Sequence, residues 1–137
     1  MEAERDVSRE AGPGSDTGKT GATSLPDGLY RVDFRIQSKQ ASGVVIIHGD
    51  SFAGGDSGMA YYGSLSRTGR QLRAIVTTLR HTDTGGIPLL GADNLEFVAE
   101  GQATGDGATF SGASPSSGQR FELSLFRLRT PGLGGVA

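Results

Sequence analysis

The chain has 137 residues, with 13 Lys+Arg against 15 Asp+Glu and neither Cys nor Trp. That length makes one domain with one core, the near-even charge excludes the basic face of a nucleic-acid binder, and the missing thiols exclude disulfides and thiolate metal sites. Glycine is abundant at 23 residues, and glycines scattered between short apolar runs point to many tight turns and an all-β chain.

Residues 1–26 read as a flexible tail. They hold Gly, Ser, Thr, Pro and charges, with Val7 and Leu25 as the sizeable apolar side chains, too few to offset the entropy of ordering. Their charges (Arg5, Arg9 and Lys19 against Glu2, Glu4, Asp6, Glu10 and Asp16) account for the whole net charge of -2, so the remainder is balanced. The first ten residues lack an apolar stretch of the kind a signal peptide carries, and no run approaches the roughly 20 apolar residues of a membrane span, so a cytoplasmic location is expected. Gly12 to Thr20, GPGSDTGKT, looks like a phosphate-binding loop. Its spacing misses by one residue, and it has neither a strand before it nor a helix after it, so it reads as linker.

The barrel domain is placed at 27–130. Leu29 to Ser38 alternates, with Tyr30, Val32, Phe34 and Ile36 on one face and Arg31, Asp33 and Arg35 on the other, which predicts a half-buried strand. Lys39 to Ser42 reads as a turn. The consecutive apolar residues Val44, Val45, Ile46 and Ile47 predict a second strand, buried on both faces or presenting one face to a partner chain. Ser51 to Ala53 is a short strand ending at Gly54-Gly55-Asp56, where glycine tolerates positive φ and aspartate bonds its own turn. Met59 to Ser66 follows, with Tyr61 and Tyr62 on opposite faces. The β-branched segment Arg70 to His81 is the next strand. Asn94 to Ala103 points Leu95, Phe97 and Ala99 inward, the Gly105–Gly107 turn leads into Ala108 to Ala113, and Gln119 to Arg129 is last. A short helical turn fits within 86–93, and 131–137 reads as a second tail. Seven or eight meander-connected strands that remove their own edges predict a small up-and-down antiparallel barrel.

No constellation carries catalytic chemistry, so an enzyme is not expected. Asp83-Thr84-Gly85 has the triplet of an aspartic protease, but it follows Arg80-His81-Thr82 where such enzymes keep apolar residues, and it reads as a turn. His48 and His81 have no spacing that joins them to Asp50, Asp56 or Asp83 as metal ligands, so neither a metal nor another cofactor is expected. The G-x-S-x-G elbow is absent.

Gly28-Leu29-Tyr30 with Val32 and Phe34, Gly43-Val44-Val45, Gly49, Gly54-Gly55-Asp56, and Tyr61 or Tyr62 with Gly63 together resemble the GrlR-like family, negative regulators of type III secretion, over about residues 28–128. The resemblance implies a lipocalin-like barrel, a homodimer, and a non-enzymatic regulator that sequesters a helix-turn-helix transcriptional activator. The acidic surface run tied to that role in the family matches a basic turn here, Ser66-Arg67-Thr68-Gly69-Arg70, so that element does not carry over. Arg67, Thr68, Gly69 and Arg70 are the candidate partner-contact turn, and Val44 to Ile47 the candidate dimer face. The alternative is a carrier or sensor holding a small apolar ligand inside the barrel, decided by whether Tyr30, Phe34, Phe97, Phe110 and Phe121 fill the interior. Neither direct nucleic-acid binding nor membrane association is expected.

Overall fold

The computed structural model describes residues 24–85 and 90–128. Eight strands run in chain order: β1 Gly28–Ile36, β2 Lys39–His48, β3 Ser51–Gly55, β4 Met59–Thr68, β5 Gln71–Arg80, β6 Asn94–Ala103, β7 Gly107–Ala113 and β8 Arg120–Arg127. Each pairs antiparallel with the next, and β8 returns to pair with β1 from Tyr30↔Arg127 to Ile36↔Phe121, so the meander is a closed barrel. Among the described residues no helix is long and apolar enough to cross a membrane. The phosphate-loop look-alike at 12–20, the tail residues 1–23, residues 86–89 of the expected helical turn and the 131–137 tail lie outside the described residues; 90–93 form a turn and bends.

Period-2 alternation decides which side chains enter. Tyr30, Val32 and Ile36 of β1, Val45 and Ile47 of β2, and Leu72, Ala74 and Val76 of β5 are all buried. The consecutive apolar run of β2 therefore splits, Val45 and Ile47 into the core and Val44 and Ile46 to the outside, Ile46 at 57% exposure. The five aromatics Tyr30, Phe34, Phe97, Phe110 and Phe121 all point inward from β1, β6, β7 and β8, and Phe52 of β3 and Tyr61 of β4 join them from the opposite wall. Phe121 stacks on Phe34 with ring centroids 5.4 Å apart and meets the edge of Phe97 at 5.1 Å. Such pairs add about 0.5–1.5 kcal/mol each beyond their buried area.

Two expected boundaries move. Lys39 to Ser42 is strand, since β1 and β2 pair over their full length and the turn is only Gln37-Ser38, with Gln37 at φ 53°. Small inward residues and polar outward ones made this stretch look like a turn. The tail boundary at 26 also moves, because Ser24, Leu25 and Pro26 belong to the barrel. Leu25 is 3% exposed and plugs one end. Arg67 straps it there: Nε donates to the Ser24 carbonyl at 2.7 Å and Nη2 to the carbonyls of Leu25 and Gly49, while Nη1 meets Asp50 at 2.8 Å. The Tyr30 hydroxyl donates to the Pro26 carbonyl at 2.6 Å, and Ser24 Oγ to the Gly69 carbonyl.

Leu25→Ala should lower the thermal unfolding midpoint. A buried leucine truncated to alanine costs about 2–5 kcal/mol, which in a barrel of this size is roughly 8 °C or more by circular dichroism. An unchanged midpoint would show that the plug adds nothing to stability.

Candidate functional site

The interior is not filled. A cavity of about 150 Å³ runs from beneath the Leu25 plug toward the opposite end of the barrel. Its origin is the uneven distribution of side-chain size. The aromatic trio Phe34, Phe97 and Phe121 occupies the side built by β1, β6 and β8, whereas β2 and β5 contribute Gly43 and Ala74 on the other side. Near the plug the walls are buried residues such as Ile47, Leu65 and Leu125. At the far end Ala41, Ser42, Asp56 and Met59 are partly or fully exposed, so the cavity opens there. The backbone explains the gap. The pairing of β2 with β3 stops at Val44↔Gly55, leaving Lys39 to Gly43 with β1 as their ladder partner.

The Gly54-Gly55-Asp56 signature shapes this mouth. Gly54 lies against the β2 backbone so closely that an added Cβ would stand 2.0 Å from the Val44 carbonyl oxygen, and a larger residue would push the two strands apart. Gly55 closes the ladder between β2 and β4, pairing with Val44 and Ala60. Asp56 caps the turn as expected: one carboxylate oxygen accepts from the amides of Gly58 and Met59 at 2.9 and 2.8 Å. His81 holds the turn from behind, its Nε2 donating to the Asp56 carbonyl at 3.0 Å. Across the mouth, the Leu90 carbonyl accepts from both Ser114 and Ser116, which seats the Leu90 side chain against the cavity.

Four polar residues stand in the otherwise apolar lining: Ser42 at the rim, whose hydroxyl donates to Asp33, and Asp56, Tyr61 and Thr78. Tyr61 and Thr78 are direct partners in the β4–β5 ladder and both point inward. The Tyr61 hydroxyl rests on Gly43, where an added Cβ would sit 1.8 Å from it, and among the described residues it has no hydrogen-bond partner. Burial, and secondarily the negative charge of Asp56, push the Tyr61 phenol well above its ordinary range, so it stays neutral. Thr78 is 7% exposed, and its Oγ1 is buried with no partner among the described residues. Asp56 is the one charged residue in the described lining.

The remaining sequence candidates are placed elsewhere. Tyr62 is exposed on the outer surface, as alternation requires, and Gly63 pairs with Phe52 and Val76 in the wall. Arg67 is committed to the plug with its side chain 15% exposed, so it is not a free partner contact; Thr68 ends β4, Gly69 turns at φ 62°, and Arg70 donates to the Ala103 carbonyl. His48 and His81 stand at opposite ends of the barrel, and among the described residues no group of His, Cys, Asp or Glu is arranged to hold a metal ion. Asp83 accepts from the Gly85 amide in a plain turn. Thr78 was the residue sequence reasoning passed over. The inward series Leu72, Ala74, Val76 runs straight to it, and a hydroxyl in that series is the signal.

No family model matches the sequence, and no curated protein is similar enough to stand as a relative.

Two outcomes follow from these groups. Thr78→Val keeps the β-branch and removes a buried unpaired hydroxyl, which costs about 1–3 kcal/mol, so the variant should melt roughly 4 °C or more above the parent by calorimetry. Tyr30 is also raised, by burial first and against the lowering effect of Arg127. Both phenols stay protonated in the fold while the unfolded chain ionises near pH 10, so stability should fall as pH rises above about 10. Tyr61→Phe should flatten that fall in denaturant titrations; an identical slope would place the Tyr61 phenol in water.

Proposed function

We propose that the protein binds a small, predominantly apolar molecule inside the barrel, as a carrier or sensor and not as a catalyst. The observation that supports this reading is the open apolar cavity beside a hydroxyl that has no partner in the fold. An eight-stranded barrel has room for its own side chains or for one small ligand. Here Phe34, Phe97 and Phe121 cluster on one side, and space remains between them and the β2–β5 wall. A cavity of about 150 Å³ matches one known to accept benzene or xenon, which sets the size of the enclosed part of the ligand. Its apolar walls supply affinity, and the mouth at Ala41, Ser42 and Met59 supplies entry.

Toluene titrated calorimetrically into the protein should bind at one site and raise the unfolding midpoint by mass action. Ala74→Leu, which fills the space from the β5 wall, should remove both effects while the barrel still folds. The absence of heat and of any midpoint shift at saturating toluene would sink the reading.

The resemblance to the type III secretion regulators supports a second reading, in which the outer surface binds protein: a second copy of this chain, and a helix-turn-helix activator in the cytoplasm. One surface feature favours it. The outward positions of β3 and β4 carry no charge, and with Val44 and Ile46 they form an apolar patch through Ala53, Ala60 and Tyr62. Charges gather on the other side of the barrel, at Arg31, Asp33 and Arg35 of β1 and Arg120 and Glu122 of β8. An uncharged patch meets a copy of itself without like-charge repulsion, which suits a two-fold interface. Sedimentation equilibrium at micromolar concentration should show a dimer that Ile46→Lys converts to monomer; a monomeric parent would remove this reading.

A further inference from the structure

We propose that Asp56 and Tyr61 at the cavity mouth receive the ammonium group of the ligand, so that the molecule held in the barrel is a small amine with a hydrocarbon body. The inference rests on the binding reading above and names the chemistry of the ligand's polar end.

Strand register brings the two groups together. Alternation turns Val45 and Ile47 of β2 inward, and the same parity turns Ala41 and Gly43 to the cavity. The β2–β3 ladder ends at Val44↔Gly55, and the next positions along the two strands are Gly43 and Asp56. Tyr61 reaches this place from β4. Its hydroxyl lies over Gly43, where an added Cβ would stand 1.8 Å from it, and the Asp56 charge is felt there. Each group has capacity left over. One carboxylate oxygen of Asp56 accepts from the amides of Gly58 and Met59, while His81 meets the Asp56 backbone carbonyl and not its carboxylate. The second carboxylate oxygen has no partner among the described residues, and neither has the Tyr61 hydroxyl.

Charge sets the class. No Lys, Arg or His lines the described cavity, and the one ion present is the Asp56 carboxylate. The mouth is therefore a negative point at the end of an apolar space. An ammonium carries donors and no acceptor, so it donates to the carboxylate and to the phenol oxygen together. Hydrogen bonds to an ionised partner are roughly twice as strong as neutral ones. Asp56 and Met59 are partly exposed, so the head group keeps some of its water and escapes the full cost of burying a charge. The hydrocarbon body lies toward Val76 and Leu65, where leaving water supplies the affinity. A carboxylate would meet a like charge with no cation to answer it.

Toluene, benzylamine and benzoate at neutral pH share a ring and differ in charge. Each is titrated calorimetrically into the full chain, Asp56→Asn and Tyr61→Phe, and ratios between parent and variant cancel the different hydration of the probes. Asparagine keeps the side-chain oxygen that caps the turn and removes the charge. Benzylamine should weaken about tenfold or more in Asp56→Asn and about fivefold in Tyr61→Phe, while toluene is unchanged or tighter. Benzoate should not bind the parent chain. Added salt should weaken benzylamine and spare toluene, which reads the charge on the unaltered protein whether or not a variant folds. The proposal is overturned if the parent binds toluene but not benzylamine, if benzylamine and toluene respond alike to salt or to either substitution, or if benzoate matches benzylamine. In those cases toluene still binds the parent chain and the apolar reading survives. If toluene itself does not bind, both readings fall.

Discussion

Closure of the sheet between β1 and β8 is the constraint on which the rest depends. Along Tyr30 to Ile36 the first strand pairs with Arg127 to Phe121 of the last, and this removes the two edges a meander would otherwise leave open. Closure also separates an inside from an outside, so every strand must alternate. The aromatic trio sits on this seam: Phe34 from β1 stacks on Phe121 from β8, directly opposite Leu123 and Ile36 in the ladders that join the two strands. With three rings at the seam and Phe52 and Tyr61 on the opposite wall, the small residues Gly43 and Ala74 of β2 and β5 leave the space between them.

The two ends of the barrel are treated differently. One is sealed by Leu25, with Arg67 gathering the carbonyls of the incoming segment and the Tyr30 phenol fixing Pro26. The other is shaped by the Asp56 turn and by Leu90, and the β2–β3 ladder ends before it reaches the rim. A barrel plugged at one end and incomplete at the other has one way in. The unpaired Thr78 hydroxyl is closed off in the β5 wall, and burying it costs stability on the order of 1–3 kcal/mol, against a total of about 5–15 kcal/mol for a typical domain.

Much of the fold was legible in the sequence because alternation is a strong signal. Tyr30 to Ile36, Leu95 to Ala99 and the opposite faces of Tyr61 and Tyr62 all fall as the pattern requires. Lys39 to Ser42 was misread as a turn, since Gln40, Ala41 and Ser42 carry little strand signal, and it takes the full-length partner β1 to hold them extended. Leu25 looked like part of a tail because a lone apolar residue among Ser, Pro and Thr gives no period; its burial depends on Arg67, more than forty positions away. The site was half visible. Asp56 was read as a turn cap, and it is one, but its place on the cavity beside Tyr61 is a matter of three-dimensional register. Thr78 was hidden in a β-branched run whose inward and outward members look alike. Arg67, read as a surface contact, proved to be an internal strap.

The central claim is that the barrel holds an accessible apolar space on the β2–β5 side, walled by Ala74 and Val76 and closed above by Leu25. Crystals pressurised with xenon test it most directly, since xenon enters dry apolar cavities and needs no specific head group. The account predicts one strong xenon site inside the barrel, between Val76, Leu65 and Tyr61, with the wall strands unmoved. Crystals that diffract under xenon yet show no interior site, the atom binding only on the outer patch around Ile46 and Tyr62, would contradict it.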